Sequence, residues 1–154
     1  MRKLKLYLDT SIFNFAISDQ VPDYKEVTLR LLETVKAGRY EGYISEVVMR
    51  EINAAGEKKA AELNGVVNDL ILEELEINAE IEELSERYIQ EGLIPVKYSN
   101  DALHLAVASY YELDAIVTWN FEHLVKLKTK KGVISVNTLA GYKPLDIINP
   151  LEVI

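Results

Sequence analysis

Ala115-Ile116-Val117-Thr118-Trp119-Asn120 is the stretch whose reading decides the fold. Residues 115–118 form a compact apolar run, typical of a strand buried on both faces, and such strands belong to parallel sheets covered by helices. Upstream, Leu4-Lys5-Leu6-Tyr7-Leu8 alternates as a strand does, and residues 41–45, including Gly42, Tyr43 and Ile44, form a second short one. Residues 133–136, between Gly132 and Asn137, are expected as a fourth strand. Helical stretches separate them at residues 24–37, 46–55, 57–72, 79–90 and 101–113. Strands alternating with helices predict an α/β domain of three layers, with a mostly parallel central sheet of four to five strands. After Pro144 the tail holds Asn149-Pro150-Leu151-Glu152, in which a capping Asn, a Pro at the first helical position and a Glu resemble a short helix start.

The 154 residues suit one domain, expected to span the whole of 1–154, and the 49% apolar fraction supplies a core. With no cysteine, disulfide frameworks, thiolate zinc sites, iron–sulfur clusters and cysteine nucleophiles are excluded. No window approaches the ~20 apolar residues of a membrane span. The apolar positions before Asp9 are interrupted by Lys5, too short for a signal sequence, so a cytoplasmic location is expected. Net charge is −8, which counts against nucleic-acid binding until its distribution is considered. Eight acidic residues and Arg87 alone lie between Glu73 and Glu91, a segment of −7 expected to be a solvated face. The remainder carries 17 acidic against 16 basic residues, with a local basic run at Lys126, Lys128, Lys130 and Lys131. Local fields steer a phosphate backbone more than net charge does.

Parallel sheets bind ligands at the carboxyl ends of their strands, and several polar residues fall there. Asp9 closes the first strand and is followed by Thr10 and Ser11. Two readings of Asp9 stand at this point: a cap for a helix beginning near Thr10, or a carboxylate held for a cation. Glu46, in a first turn behind a Ser45 cap and four residues before Arg50, has a sufficient structural account. Glu51 shares its helix face with Val47 and Val48, and a carboxylate on an apolar face wants a cation. Asp101 opens a helix whose Ala102, Ala106 and Ala108 allow close approach to the sheet, and His104 sits on its face as a hydrogen-bonding neighbour rather than a ligand. Asn120 and Glu122 follow the third strand; Asp114 precedes it, at the opposite end, and is excluded. Trp119 and Phe121 are read as packing residues.

Taken in order, Tyr7-Leu8-Asp9-Thr10-Ser11, Ser45 to Glu51, Ser99-Asn100-Asp101-Ala102-Leu103-His104-Leu105-Ala106 and Ile116-Val117-Thr118-Trp119-Asn120 resemble the PIN-domain family, most of all its stand-alone prokaryotic members, which include VapC-type toxins. The resemblance covers nearly the whole chain. It implies an α/β/α nuclease whose acids hold Mg²⁺ or Mn²⁺, with Asp9, Glu51 and Asp101 as the metal carboxylates. The usual fourth acid aligns with Asn120, which adds no charge; Glu122 stands two positions further as a substitute, and Thr10 and Ser11 match the family's hydroxyl position. The resemblance further implies endoribonucleolytic hydrolysis of single-stranded or looped RNA to 5′-phosphate and 3′-hydroxyl ends, a homodimer and, for the toxin branch, a cognate antitoxin. The Lys126–Lys131 run is the expected contact to the RNA backbone. A PIN-like binding module without turnover is the alternative that Asn120 invites. A phosphatase with Asp9 as nucleophile, of the haloacid-dehalogenase kind, would need a second Asp where Ser11 stands.

Overall fold

Lys5–Leu8 (β1) lies in the middle of a five-stranded sheet, with Leu6, Tyr7 and Leu8 all fully buried. A computed structural model describes residues 2–154. The other strands are β2 (Glu41–Ser45), β3 (Leu72–Leu75), β4 (Ala115–Val117) and β5 (Asp146–Ile148), in the order β3-β2-β1-β4-β5 and parallel throughout. Leu6, Tyr7 and Leu8 stand opposite Ala115, Ile116 and Val117, so the two most apolar strands pair at the centre. Seven helices flank the sheet: α1 (Thr10–Ile17), α2 (Pro22–Lys36), α3 (Glu46–Asn53), α4 (Glu57–Asn68), α5 (Ala79–Gln90), α6 (Ser99–Tyr110) and α7 (Leu127–Ala140). Helix α1 packs on α2 and α4, and α5 packs on α6 and α7. The three-layer α/β/α architecture is therefore as the alternation of strands and helices implied.

Local chemistry explains most boundaries. Pro22 and Asp23 open α2, the Ser45 hydroxyl accepts from the Val47 N–H to cap α3, and the Asn78 side chain accepts from the Ile81 N–H to cap α5. At the tail, Asn149 and Glu152 form a capping box over a 3-10 turn at Pro150–Val153.

Three assignments need correction. Residues 133–136 are not a strand but the middle of α7. The β-branched residues there misled; Thr129, Val133, Val136 and Asn137 are the buried face, and their spacing is helical. Gly132 is not a boundary either: a Cβ there would lie 2.1 Å from a Leu93 methyl, so glycine is what lets α7 approach. Gly132→Ala is expected to destabilise by about 1–3 kcal/mol in urea unfolding through overpacking against Leu93.

The helix expected at 57–72 ends at Asn68, and Leu72–Leu75 is strand β3. Its sequence Leu-Glu-Glu-Leu favours helix, but it pairs with β2 alone and forms an edge, where charged side chains discourage pairing with another chain. The Glu73–Glu91 segment is thus part edge strand and part α5, with most of its carboxylates exposed. Strand β5 is only three residues long and carried no readable period. Among the described residues, no helix is long and apolar enough to cross a membrane.

Candidate active site

The chain winds outward from β1 through β2 to β3, then returns to lay β4 on the other side of β1. The β1/β4 boundary is therefore the switch point of the sheet, where helices diverge and leave a crevice beyond the carboxyl ends of the strands. A cavity of about 370 Å³ opens near these ends, lined by Asp9, Thr10, Ser11, Glu51, Asp101, His104 and Asn120 together with Asn14, Ala55 and Lys59. A larger cavity of about 640 Å³ lies between α2 and α4. It brings no carboxylates together with β1 and β4, so size does not make it the reactive one.

Asp9 occupies the N-cap position of α1, yet its carboxylate makes no capping hydrogen bond. It accepts instead from the Ser11 hydroxyl (2.5 Å) and the Thr118 hydroxyl (2.5 Å). Those hydroxyls accept in turn from the Trp119 and Asn120 N–H groups, each at 2.9 Å, so the backbone after β4 holds the carboxylate of β1 through two side chains. Between the cap and cation readings of Asp9, the cap is the one this geometry removes.

Glu51 and Asp101 are held in the same manner by side-chain donors. Thr10 donates to Glu51 Oε1 at 2.7 Å, and His104 Nε2 lies 2.7 Å from the same oxygen. Asn120 Nδ2 donates to Asp101 Oδ2 at 3.1 Å, while Asn120 Oδ1 accepts from the His123 N–H at 2.9 Å. These two partners fix the orientation of the Asn120 amide: its nitrogen faces the site, and its oxygen is turned to the backbone. Asn120 thus clamps Asp101.

Behind the acids runs a buried chain of hydrogen bonds. The Ser45 hydroxyl, already an acceptor for Val47, lies 2.7 Å from the Tyr7 hydroxyl, which lies 2.7 Å from His104 Nδ1. In the neutral ring Ser45 donates to Tyr7, Tyr7 donates to Nδ1 and the Nε2–H of His104 points at Glu51; in the protonated ring Nδ1–H donates to Tyr7 instead. His104 is therefore a second link behind the acids, in a nearly fully buried position.

Burial pushes the Asp9 and Asp101 carboxyls above the usual range; the Asp101 charge adds to this at Asp9, and the Glu51 charge adds to it at Asp101. For Glu51 burial acts in the same direction but is outweighed by the His104 hydrogen bond and charge, so its carboxyl lies below the usual value. Burial lowers His104, against which the Glu51 hydrogen bond and the three acidic charges leave it raised.

Carboxylates that share one cavity suit a hard divalent cation. Among the described residues, no three His, Cys, Asp or Glu side chains stand close enough to form a ready-made cage. A cation placed there would be held by a few of these carboxylates, with water completing its shell.

The other expected residues lie elsewhere. Glu122 is exposed, 3.6 Å from His123, and does not line the cavity. None of Lys126, Lys128, Lys130 and Lys131 lines it; Lys126 precedes α7 and the others lie on that helix. Trp119 stacks on Tyr24 at 4.0 Å and donates to Thr28, a packing role. Asp114, at the far end of β4, binds Arg2 and the Lys5 N–H. Glu46 accepts from the Ile77 N–H and ties down the loop after β3. Sequence reasoning missed Thr118, Asn14 and Lys59. Thr118 had a signal in its place at a strand's carboxyl end beside Asn120, whereas Lys59, far along the chain, had none.

The PIN domain family profile matches residues 6–125, which include all of β1 but Lys5, the whole of β4 and the cavity's acids. The chain belongs to the PIN domain family. No curated protein matches the sequence. Among solved structures the PIN fold here is similar to that in VapBC2 of Rickettsia felis bound to a DNA fragment from their promoter, with TM-score 0.59 and 19% identity, covering 95% of this chain and 98% of the other. VapBC-1 of nontypeable Haemophilus influenzae gives TM-score 0.58 at 13% identity, covering 96% and 99%. VapC20 of Mycobacterium tuberculosis, a sarcin-ricin loop cleaving toxin, gives 0.57 at 12%, covering 77% and 92%. At these identities the likeness is one of fold. The Asn120 amide answers Asp101 with a hydrogen bond where an acid would add repulsion.

Proposed function

We propose that this PIN domain is a metal-dependent endoribonuclease that hydrolyses phosphodiester bonds in single-stranded or looped RNA. The observation that carries the reading is the convergence of Asp9, Glu51 and Asp101 on one cavity at the sheet's switch point, with two of the three pushed toward protonation. Such a site is poorly suited to hold itself together without a cation, and well suited to one that a phosphate also needs.

Asp9, Glu51 and Asp101 hold the metal in this reading. When bound, Mg²⁺ or Mn²⁺ supplies positive charge beside the phosphate and makes water more acidic. Ser11 and Thr118 each hold one Asp9 oxygen, and Thr10 with His104 holds Glu51 Oε1, so the carboxylates are fixed in orientation. Asn120 holds Asp101 without adding a fourth negative charge for the incoming phosphate to meet. The products are a 5′-phosphate and a 3′-hydroxyl end.

The relatives in fold that are VapBC pairs support a toxin reading, in which the chain forms a homodimer and a cognate antitoxin occupies the acidic cavity with a basic side chain. The Lys126, Lys128, Lys130 and Lys131 run serves as an outlying contact to the RNA backbone. Neutralising all four is expected to lower the slope of log affinity against log salt by about 0.7 for each phosphate that a lysine had neutralised.

A second reading, a PIN-like RNA- or protein-binding module without turnover, draws on Asn120, whose oxygen is already taken by the His123 N–H. Turnover separates the two. A fluorescent single-stranded RNA is incubated with Mg²⁺ or Mn²⁺ and wild type or Asp9→Asn. Metal-dependent cleavage by wild type alone is the expected result; equal inertness of both proteins on several RNAs would favour the binding module.

A further inference from the structure

We infer that Lys59 and a groove along α1 hold the RNA strand on one side of the phosphate that is cut; this rests on the nuclease reading. The acidic cavity does not end at the acids. Asn14 and Lys59 line it and also line a second cavity of about 390 Å³, whose other walls are Phe15, Ile17, Ser18 and Gln20. Two cavities sharing two wall residues adjoin one another along α1.

The pattern of α1 accounts for that adjacency. Ile12, Phe13 and Ala16 face the core, while Thr10 and Ser11, then Asn14, then Ser18 recur at three- to four-residue spacing on another side. Helix α4 packs across from this side and brings Lys59 to it. Thr10 and Ser11 hold acids at one end of the polar row, so the row leads directly out of the reactive cavity.

Lys59 is the one lysine or arginine among the residues lining either cavity. Among the described residues it forms no ion pair, and it sits in the first turn of α4, where a helix dipole disfavours positive charge. An exposed lysine needs no partner, and what sets this one apart from Lys58 is its place on the wall that both cavities share. A strand of RNA gives that place a use: its phosphates must approach three carboxylates, and a cation at the mouth offsets that repulsion. The mixed wall of Asn14, Gln20 and Phe15 offers amides and an aromatic ring to a nucleotide, whereas a purely apolar groove would not.

The test compares Lys59→Gln with Lys58→Gln, which removes the same charge from an exposed neighbour lining neither cavity. Affinity for a fluorescent single-stranded RNA is measured across a salt series in the Asp9→Asn background, where the strand stays intact. KM and kcat are measured in the otherwise wild-type protein. Lys59→Gln is expected to lower the salt slope by about 0.7 and raise KM several-fold with kcat little changed, as loss of uniform binding does. Lys59→Arg restores both, and Lys58→Gln leaves both as they were. If Lys59→Gln and Lys58→Gln behave alike while wild type cleaves RNA, the groove assignment is overturned and the nuclease reading stands. If no RNA is cleaved, the nuclease reading fails by itself, and a binding loss confined to Lys59 would still support the groove.

Discussion

Asp9→Asn is expected to reduce metal-dependent RNA cleavage by at least about 100-fold, the scale on which single electrostatic groups act in such sites. The same variant is expected to melt at a higher temperature than wild type at neutral pH without added metal. Asp9 is 3% exposed and its carboxyl is pushed up, first by burial and also by the charge of Asp101. Wherever it is ionised, it costs stability that an amide does not. Its two hydroxyl partners, Ser11 and Thr118, can rotate so that one donates to the amide oxygen and the other accepts from its nitrogen.

Each kcal/mol recovered raises the melting temperature by about 2–4 °C for a chain of this size. A raised native pKa means that the folded protein takes up its proton before the unfolded chain does as pH falls. Wild type therefore gains stability on acidification through the window above the ordinary carboxylate value of 3.8, and its deficit against Asp9→Asn closes there. Saturating Mn²⁺ reverses the order, because the metal stabilises wild type by about 2.7 kcal/mol at a hundred times its dissociation constant and the variant by less. Thermal melts over pH, with and without Mn²⁺, read all three effects. A variant less stable than wild type at every pH would overturn the account of strain at Asp9.

His104→Leu carries the second large effect. The ring is 1% exposed and joins Tyr7 to Glu51 through two 2.7 Å contacts. Replacing it leaves the buried Tyr7 hydroxyl with Ser45 alone and strips Glu51 of its strongest donor. Such losses cost about 2–4 kcal/mol, since a half-broken buried network is worse than none. Tyr7→Phe, which leaves Nε2 on Glu51, is expected to cost less.

The sign with pH differs from that of Asp9. His104 is raised by its acidic neighbours against burial, so its contribution is complete below the ordinary value of 6.5 and is lost as pH rises through the native value above it. The stability gap between wild type and His104→Leu therefore narrows with alkalinity. Urea unfolding at several pH values tests this, and a double-mutant cycle with Glu51→Gln isolates the pair. Additive effects in that cycle would show that His104 does not act through Glu51.

Much of this architecture was legible in the chain. The apolar run at 115–118 and the alternation before Asp9 located the two central strands, because buried parallel strands have little freedom in composition. Asp9 and Glu51 stood out since carboxylates at strand ends or on apolar helix faces are costly without a reason, and Asp101, at a helix start, through the alanines that follow it and the resemblance. The short edges were not legible. β3 is two leucines around two glutamates, β5 is three residues, and both are strands because of what they lie beside. The stretch at 133–136 failed for the converse reason: its β-branched residues suit a strand, and packing of α7 against Leu93 and the core overrode that preference.

The sequence by itself determined the class of fold and the kind of chemistry at the ends of its central strands, for burial and charge are properties of residues in order. Tertiary structure alone decided how those groups face one another. Asp9 leaves its cap position for hydroxyls of Ser11 and Thr118, Asn120 turns its nitrogen to Asp101, and Lys59 arrives beside Asn14 from another helix. Hydrogen bonds and fields act over a few ångströms of space, and here they join residues as many as 109 positions apart.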